Sequence, residues 1–536
     1  MSVTRLRIIP RLLSALRADL KQLDYSHEGV RSLLGPDAHD ALLREQRAPA
    51  LMRARESSAP LAFAIRVLLL GADVAAVDVD RAFTRTGTEG LCRLGLVNDP
   101  VHDRVRARVQ IQPTAAPGRN HWWVVCDMNQ ALTGHRPARD HVLGVGGATR
   151  TSLRATPSKP VETVLDMGTG SGVLALQATT HAKRVVATDL SARACEFAAF
   201  NAELNDAPVD VRRGSLFEPV CDERFDLIVS NPPFVITPQE LRAGGLVEYR
   251  DGGRTGDALT GEVLRQATKF LNPGGKAIIL GNWEIQRDRD WAEHPRKWLD
   301  NTGVHAMVIE REQLSPVEYA HMWLRDNGQD LGPRSQYESD YRTWLRDFDQ
   351  RDVQAIGMGI VLLVKPNEAN VEPLQEPVQD VTESGSLDGA HMWGSDGSVH
   401  QRFENVHQRF EQVRAPGHAT GTYLQVIMDE LESGGFEVGE TDRFVRASDV
   451  REERHYLPGE ENPQVIVATQ GDGFGQRIGM HAYTAGFLGA CDGELSAGQI
   501  CTAISVLMDV DAAQVWSVVK PQAQQLLTAG MITRQG

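Results

Sequence analysis

Three short stretches of this 536-residue chain hold residue types at spacings that can do chemistry. The first is Thr163-Val-Leu-Asp-Met-Gly-Thr-Gly-Ser-Gly-Val173. Glycines at 168, 170 and 172 let a β-strand turn sharply into a helix and bring bare backbone against a ligand. Alone this is ambiguous, since Gly170-x-Gly172-x-x-Ala175 also satisfies the loose dinucleotide fingerprint. The second is Asp189, which closes Val185-Val-Ala-Thr-Asp189. In a doubly wound sheet a carboxylate there lies across the switch crevice from the glycine turn and can accept both hydroxyls of a ribose. The third is Asn231-Pro-Pro-Phe234, directly after the buried-type strand Phe225-Asp-Leu-Ile-Val229. Two prolines stiffen the turn and remove two N–H donors. The Pro232 carbonyl and the Asn231 side chain are left as acceptors, and Phe234 offers a flat face. That combination suits a planar –NH2 group, an amide or an exocyclic base amine, which donates to both acceptors while the ring stacks on its plane.

The ribose reading of Asp189 suits NAD and S-adenosylmethionine equally. Nothing in hydride transfer needs the acceptor corner, so the third stretch favours the methyl donor. In this order and spacing the three motifs resemble class I S-adenosylmethionine-dependent methyltransferases, in the Asn-Pro-Pro-Tyr/Phe branch that methylates nitrogen. The nearest likenesses are release-factor glutamine methyltransferases and rRNA guanine-N2 methyltransferases. The resemblance covers residues 160 to 285 and implies S-adenosyl-L-methionine as cofactor. It implies that Asp166, Gly168, Thr169, Gly170 and Gly172 hold the methionine end, that Asp189 binds the ribose and that Leu190 packs on the adenine. Ser215 and Leu216 fall at the adenine edge; many relatives have an acid where Ser215 stands. Asn231, Pro232 and Phe234 would hold the target nitrogen. The implied partner is a release-factor-like protein or an RNA. A different class stays open, a non-catalytic scaffold that has kept the fold, but intact Asp166, Asp189 and Asn231 speak against it.

Positioning these residues takes a parallel sheet. Thr163–Leu165, Arg184–Thr188, Val209–Arg212, Phe225–Val229 and Lys276–Leu280 are short β-branched runs separated by helical patterns such as Val173–Thr180 and Ala192–Asn205. Alternation of this kind predicts an α/β, doubly wound, Rossmann-like, mostly parallel sheet over residues 151–366. Ala355–Val364 reads as its last strand. Residues 1–150 read as a helical, winged-helix-like domain, with a hairpin of Val105–Gln112 and His121–Cys126 across the turn Pro113–Gly118. The acidic stretch 367–415 reads as a linker; residues 366 to 400 hold seven acids and no Lys or Arg. Residues 416–536 read as an α+β, winged-helix-like accessory domain. Leu526-Leu-Thr-Ala-Gly-Met-Ile532 echoes Leu91-Cys-Arg-Leu-Gly-Leu-Val97, as a helix ending in a cap glycine would. Two further segments are candidates for the cavity mouth: Glu248-Tyr-Arg-Asp-Gly-Gly253, with Glu248 or Arg250 touching the target, and Leu143–Thr151, which reads more readily as a linker. Asn282-Trp283 and His121-Trp-Trp123 read as core or strand packing.

Composition excludes other classes. Hydrophobic residues at 41% and charged residues at 24% are ordinary for a globular chain. Net charge is −15, so the chain is no general polyanion binder, although a local basic face is compatible with it. Six scattered cysteines lack metal or disulfide spacing, and no HExxH pattern occurs among 16 histidines, so no metal is expected. No apolar run reaches the ~18 residues of a membrane span. The expected localisation is cytoplasmic.

Overall fold

A computed structural model describes residues 5–116, 119–242, 250–367, 408–413, 417, 420–433 and 435–535. Its central element is an eight-stranded sheet. The strands are β1 (Val161–Met167), β2 (Ala182–Asp189), β3 (Val209–Arg213), β4 (Phe225–Ser230), β5 (Leu271–Gln286), β6 (His305–Leu314), β7 (Val353–Val364) and β8 (Gln408–Gln412), in the order β8-β6-β7-β5-β4-β1-β2-β3. β1 pairs parallel with both β2 and β4, β2 parallel with β3, and β6 parallel with β8. The C-terminal halves of β1, β2 and β4 are almost continuously buried, which is why they read as apolar runs and not as alternation. The stretch expected to be the last strand, β7, lies inside the sheet between β6 and β5. Helix α1 (Val173–Ala178) follows the glycine turn, and α2 (Ala192–Asn205) follows β2, capped by the Ser191 side chain.

Ahead of the sheet, helix Pro60–Ala64 runs into a π turn, Ile65–Leu69, and then come strand Val74–Ala75 and helices Ala76–Ala82 and Gly87–Leu94. A tight hairpin closes the unit. Val97 bridges Ala107, Val101 bridges Arg104, and Arg104–Val105 pairs antiparallel with Val74–Ala75. Helix, strand, two helices and hairpin is the order of a winged helix. Its wing is the hairpin 97–107, however, and not the one expected over 105–126.

The longer hairpin, Gln110–Ala116 with Arg119–Cys126, has a different partner. Its second strand lies against α2, where two asparagines take the place of a neighbouring strand. Asn201 accepts from Val125 N (2.8 Å) and donates to Val125 O (2.9 Å). Asn205 accepts from Trp123 N (3.0 Å) and donates to Trp123 O (2.8 Å). The match is geometric: four residues of helix rise about 6 Å, close to the ~6.7 Å between alternate strand residues. Trp122 and Trp123 are almost fully buried, so this pair packs the junction.

The C-terminal part repeats the winged order with helix Ala482–Gly489, strand Asp492–Ser496, helices Ala497–Met508 and Ala512–Thr528, and strand Ile532–Arg534. The sequence echo is a shared helix ending. Leu96 N bonds Leu91 O and Gly95 N bonds Cys92 O; Met531 N bonds Leu526 O and Gly530 N bonds Leu527 O. Both glycines are left-handed, and the residues after them are buried, as a Schellman end requires.

The chain forms two compact units, Met1–Asn272 with Ala277–Asp300 and Gln313–Met358, and Pro273–Lys276 with Asn301–Glu312 and Gly359–Gly536. Helix Gly147–Ala155 runs through the expected division at 150/151, inside the first unit. Most of the expected acidic linker lies outside the described residues. All six cysteines are free thiols. Among the described residues no helix is long and apolar enough to cross a membrane, and no cluster of three metal-ligating side chains occurs.

Candidate active site

The C-terminal ends of β1, β2 and β4 open onto a cavity of about 320 Å³ in the first unit. β1 delivers the glycine turn. Gly172 has φ +84°, and a Cβ there would stand 3.0 Å from Ala198 Cα, so the turn can pack on α2 only without a side chain. Gly170 has φ +56° and faces open space on the cavity wall. Asp166, fully buried, stitches the turn to its helix: Oδ2 accepts from Thr169 Oγ1 (2.6 Å) and Ala175 N (2.9 Å). Burial pushes its carboxyl up to about 7, against the pull of those two bonds. Its other oxygen, Oδ1, is buried with no hydrogen-bond partner.

β2 delivers Asp189. Oδ2 accepts from Gly170 N (2.9 Å) and Oδ1 from Ser191 N (2.8 Å), so this carboxylate ties the glycine turn to the start of α2. Each oxygen keeps a lone pair for a further donor. Leu190, 66% exposed, and Ser215 and Leu216 continue the same wall. Leu216 adopts φ +49°, uncommon for a residue other than glycine.

β4 delivers Asn231. It lines the cavity, and its Oδ1 is buried with no hydrogen-bond partner. An orphan acceptor of this kind costs ~1–3 kcal/mol in desolvation unless a ligand donates to it. The Pro232 carbonyl accepts from Phe234 N at 2.8 Å and so holds the turn closed, with one lone pair left. The cavity wall at this turn is formed by Pro233; Pro232 and Phe234 are not on it. The Phe234 ring instead packs on the cluster around Tyr319, Trp344 and Phe348. Tyr319, fully buried, supports the following segment through its hydroxyl, which accepts from Ile236 N (3.2 Å) and Asn282 Nδ2 (2.8 Å).

Of the sequence-derived residues, the structure brings Gly168, Thr169, Gly170, Asp189, Leu190, Ser215, Leu216 and Asn231 to one wall, with Asp166 and Gly172 immediately behind it. Two further wall segments come from the candidates that the sequence left weak. His141, Val142, Leu143 and Thr149 close one side, so the stretch before β1 covers the cavity and is more than a linker. Arg193 on α2 fixes it with a bidentate grip on Asp127, whose Oδ2 also accepts from Val142 N at 2.8 Å. Asp251, Gly252 and Arg254 close the other side. Arg250, expected near the target, is drawn elsewhere: it donates to Trp323 O (2.9 Å) and Asp326 Oδ2 (3.1 Å). Glu248 lies outside the described residues. The loop is anchored by Asp257, whose Oδ2 accepts from Glu284 N (2.8 Å) and pairs with His294 Nδ1 (2.5 Å). That bond to Asp257 raises the His294 pKa above its usual range.

These residues fit S-adenosylmethionine on two observations. Asp166 Oδ1 is an unpartnered buried acceptor behind a cradle of left-handed glycines, where a cationic amine would satisfy it. Asp189 stands beside that cradle with acceptor capacity toward a diol.

Comparison with known proteins agrees with this geometry. Residues 144–294 match the family described as methyltransferase small domain, and residues 22–108 match a domain of unknown function (DUF7059). The ribosomal protein uL3 glutamine methyltransferase of Bradyrhizobium diazoefficiens is 40% identical over 151 residues, 26% of this chain and 47% of that protein. The release factor glutamine methyltransferase of Geobacter sulfurreducens is 41% identical over 137 residues, 24% of this chain and 47% of that protein. The chain thus spans about half the length of these curated relatives. Among solved structures, a T. thermophilus 16S rRNA N2 G1207 methyltransferase in complex with AdoMet and guanosine aligns with TM-score 0.25 and 17% identity, over 48% of this chain and 66% of that one. Residues 144–294 of this chain thus match the methyltransferase small domain and carry the cradle, the ribose-side carboxylate and the acceptor on one cavity.

Proposed function

We propose that the chain transfers a methyl group from S-adenosylmethionine to the side-chain amide nitrogen of a glutamine in a partner protein. The observation that supports this most is Asn231 Oδ1, a buried acceptor without a partner on the cavity wall next to the cofactor cradle. The two relatives above carry glutamine methyltransferase names, which favours an amide as the acceptor. The cofactor supplies an already activated sulfonium methyl. Asp166 and the glycine turn hold its amino-acid end, Asp189 its ribose, and Leu190, Ser215 and Leu216 its adenine side. Asn231 accepts one N–H of the incoming –NH2, and the turn that presents it is held closed by the bond from Phe234 N to the Pro232 carbonyl. The bond to Asn231 fixes the nitrogen in line with the methyl and favours the pyramidal geometry of attack. The segments 141–149 and 251–254 cover the pair and exclude water.

An exocyclic amine of an RNA base offers the same two donors. One observation favours it as the second reading: Arg104, Arg106 and Arg108 stand exposed along the wing of the N-terminal unit. Under either reading the enzyme is cytoplasmic. Incubation with radiolabelled S-adenosylmethionine and a fractionated lysate separates the two. Protease-sensitive label supports the amide; nuclease-sensitive label supports the base; no transfer at all contradicts both.

A further inference from the structure

Residues 97–109 make the wing of the N-terminal unit, and their exposure alternates. Val105, Ala107 and Val109 are buried, while Arg104, Arg106 and Arg108 face solvent. Residues 104 and 105 are strand and Ala107 bridges Val97, so Arg104 and Arg106 follow one edge, and Arg108 stands exposed at the bend after it. A second group of arginines meets the row. Arg47 donates to Leu70 O (2.7 Å) and Arg104 to Asp73 O (2.7 Å), so both grip the segment between the π turn and the strand Val74–Ala75. Arg66, one turn earlier, lies over the Phe63 ring with its Nε buried and unpaired. Arg55 faces both Arg47 and Arg66. Burial first, and then repulsion from Arg106 and Arg55, holds the Arg47 guanidinium below its usual range; burial, and then Arg55 among its neighbours, does the same for Arg66. Among the described residues none of these six arginines forms an ion pair. Asp73 acts on Arg47 and Asp78 on Arg66, but Asp78 is already paired with Arg81 (3.2 Å), and Glu56, which follows Arg55, is paired with Arg53 (2.6 Å).

Arg47, Arg55, Arg66, Arg104 and Arg106 act on one another as like charges without an ion-pair partner, a repulsion that a polyanion would relieve in a chain whose net charge is −15. A dense group of cations is complementary to closely spaced anions, which a phosphodiester backbone supplies and a protein surface with scattered carboxylates does not. Planar guanidiniums also bind phosphate oxygens in pairs. We propose that this arginine face, Arg47, Arg55 and Arg66 with the wing row Arg104, Arg106 and Arg108, docks on the phosphate backbone of RNA. The whole face lies within residues 22–108, and so gives a task to that domain of unknown function. The choice of RNA over DNA rests on the second functional reading above, the exocyclic amine of an RNA base. The face itself stands apart from the cavity chemistry.

The test is fluorescence anisotropy of the full chain with a labelled ribosomal RNA hairpin, a DNA duplex of equal length and a poly-glutamate peptide, across a salt series. The expected dissociation constant for the RNA is ~10 µM or tighter at moderate salt, with a steep salt dependence. The triple variant Arg55→Ala/Arg106→Ala/Arg108→Ala should lose about tenfold or more in affinity, and its log–log salt slope should shrink by about two. The matching triple lysine variant, which keeps charge, should retain most of the slope and so controls for misfolding. Asn231→Ala should bind RNA as the wild type does; its failure in methyl transfer would therefore bear on the active site alone. Absence of RNA binding, equal binding of DNA or poly-glutamate, or a triple alanine variant with an unchanged slope would overturn the proposal.

Discussion

Asn231 and Asp166 each leave one oxygen buried and unbonded, and each makes a separate prediction. For Asp166 the prediction concerns pH. Its carboxyl is pushed up to about 7 by burial, so it is largely neutral below that pH and ionised above it. An amine cation prefers the ionised form. Affinity for S-adenosylmethionine should therefore fall as pH drops below 7, approaching tenfold per unit. Asp166→Asn should bind more weakly at pH 7.5 and show a flat profile, and calorimetry between pH 5.5 and 7.5 reads both. These residues were legible in the sequence because their setting is local: strand, tight turn and helix are contiguous. The pose of Phe234 was not. Its ring is drawn to a cluster with Tyr319 and Trp344, which lie far along the chain and which no short motif reveals.

At the scale of elements, α2 does the most joining. Asn201 donates to Ser171 O in the glycine turn (2.8 Å) as well as pairing both backbone groups of Val125. Asn201→Ala would leave a buried N–H and two buried carbonyls short of partners, a loss of about 3–5 kcal/mol. The midpoint of thermal unfolding should fall sharply, whereas an exposed change such as Glu203→Gln on the same helix should leave it nearly unmoved. Hairpin and helix were each readable from periodicity. Their pairing was not, since Asn201 and Val125 are 76 residues apart and an asparagine that imitates a strand edge has no signature in the sequence. The same blindness moved the wing. The β-branched runs of 105–126 outweighed the short hairpin 97–107, which shows itself only through two isolated bridges and its pairing with Val74–Ala75. The cover over the cavity was half legible: the glycines of 143–149 were visible, but the Arg193–Asp127 grip that seats His141 and Val142 was not.

At the scale of the molecule, residues 144–294 match the methyltransferase small domain, an arginine wing precedes them, and a C-terminal part has the same winged order. Such a division of labour lets affinity reside outside the cavity, so removing wing arginines should raise KM for a bound substrate with little change in kcat. The proposed chemistry depends on a buried amide acceptor that holds a flat –NH2 beside the methyl donor. It is tested most directly by measuring two quantities on Asn231→Ala: S-adenosylmethionine affinity by calorimetry, and radiolabel transfer to fractionated lysate protein. Cofactor affinity should stay within about threefold of wild type and transfer should fall ~10²-fold or more, as when one fixed polar group is taken from a reacting centre. Transfer at the wild-type rate from a variant that binds the cofactor normally would contradict it.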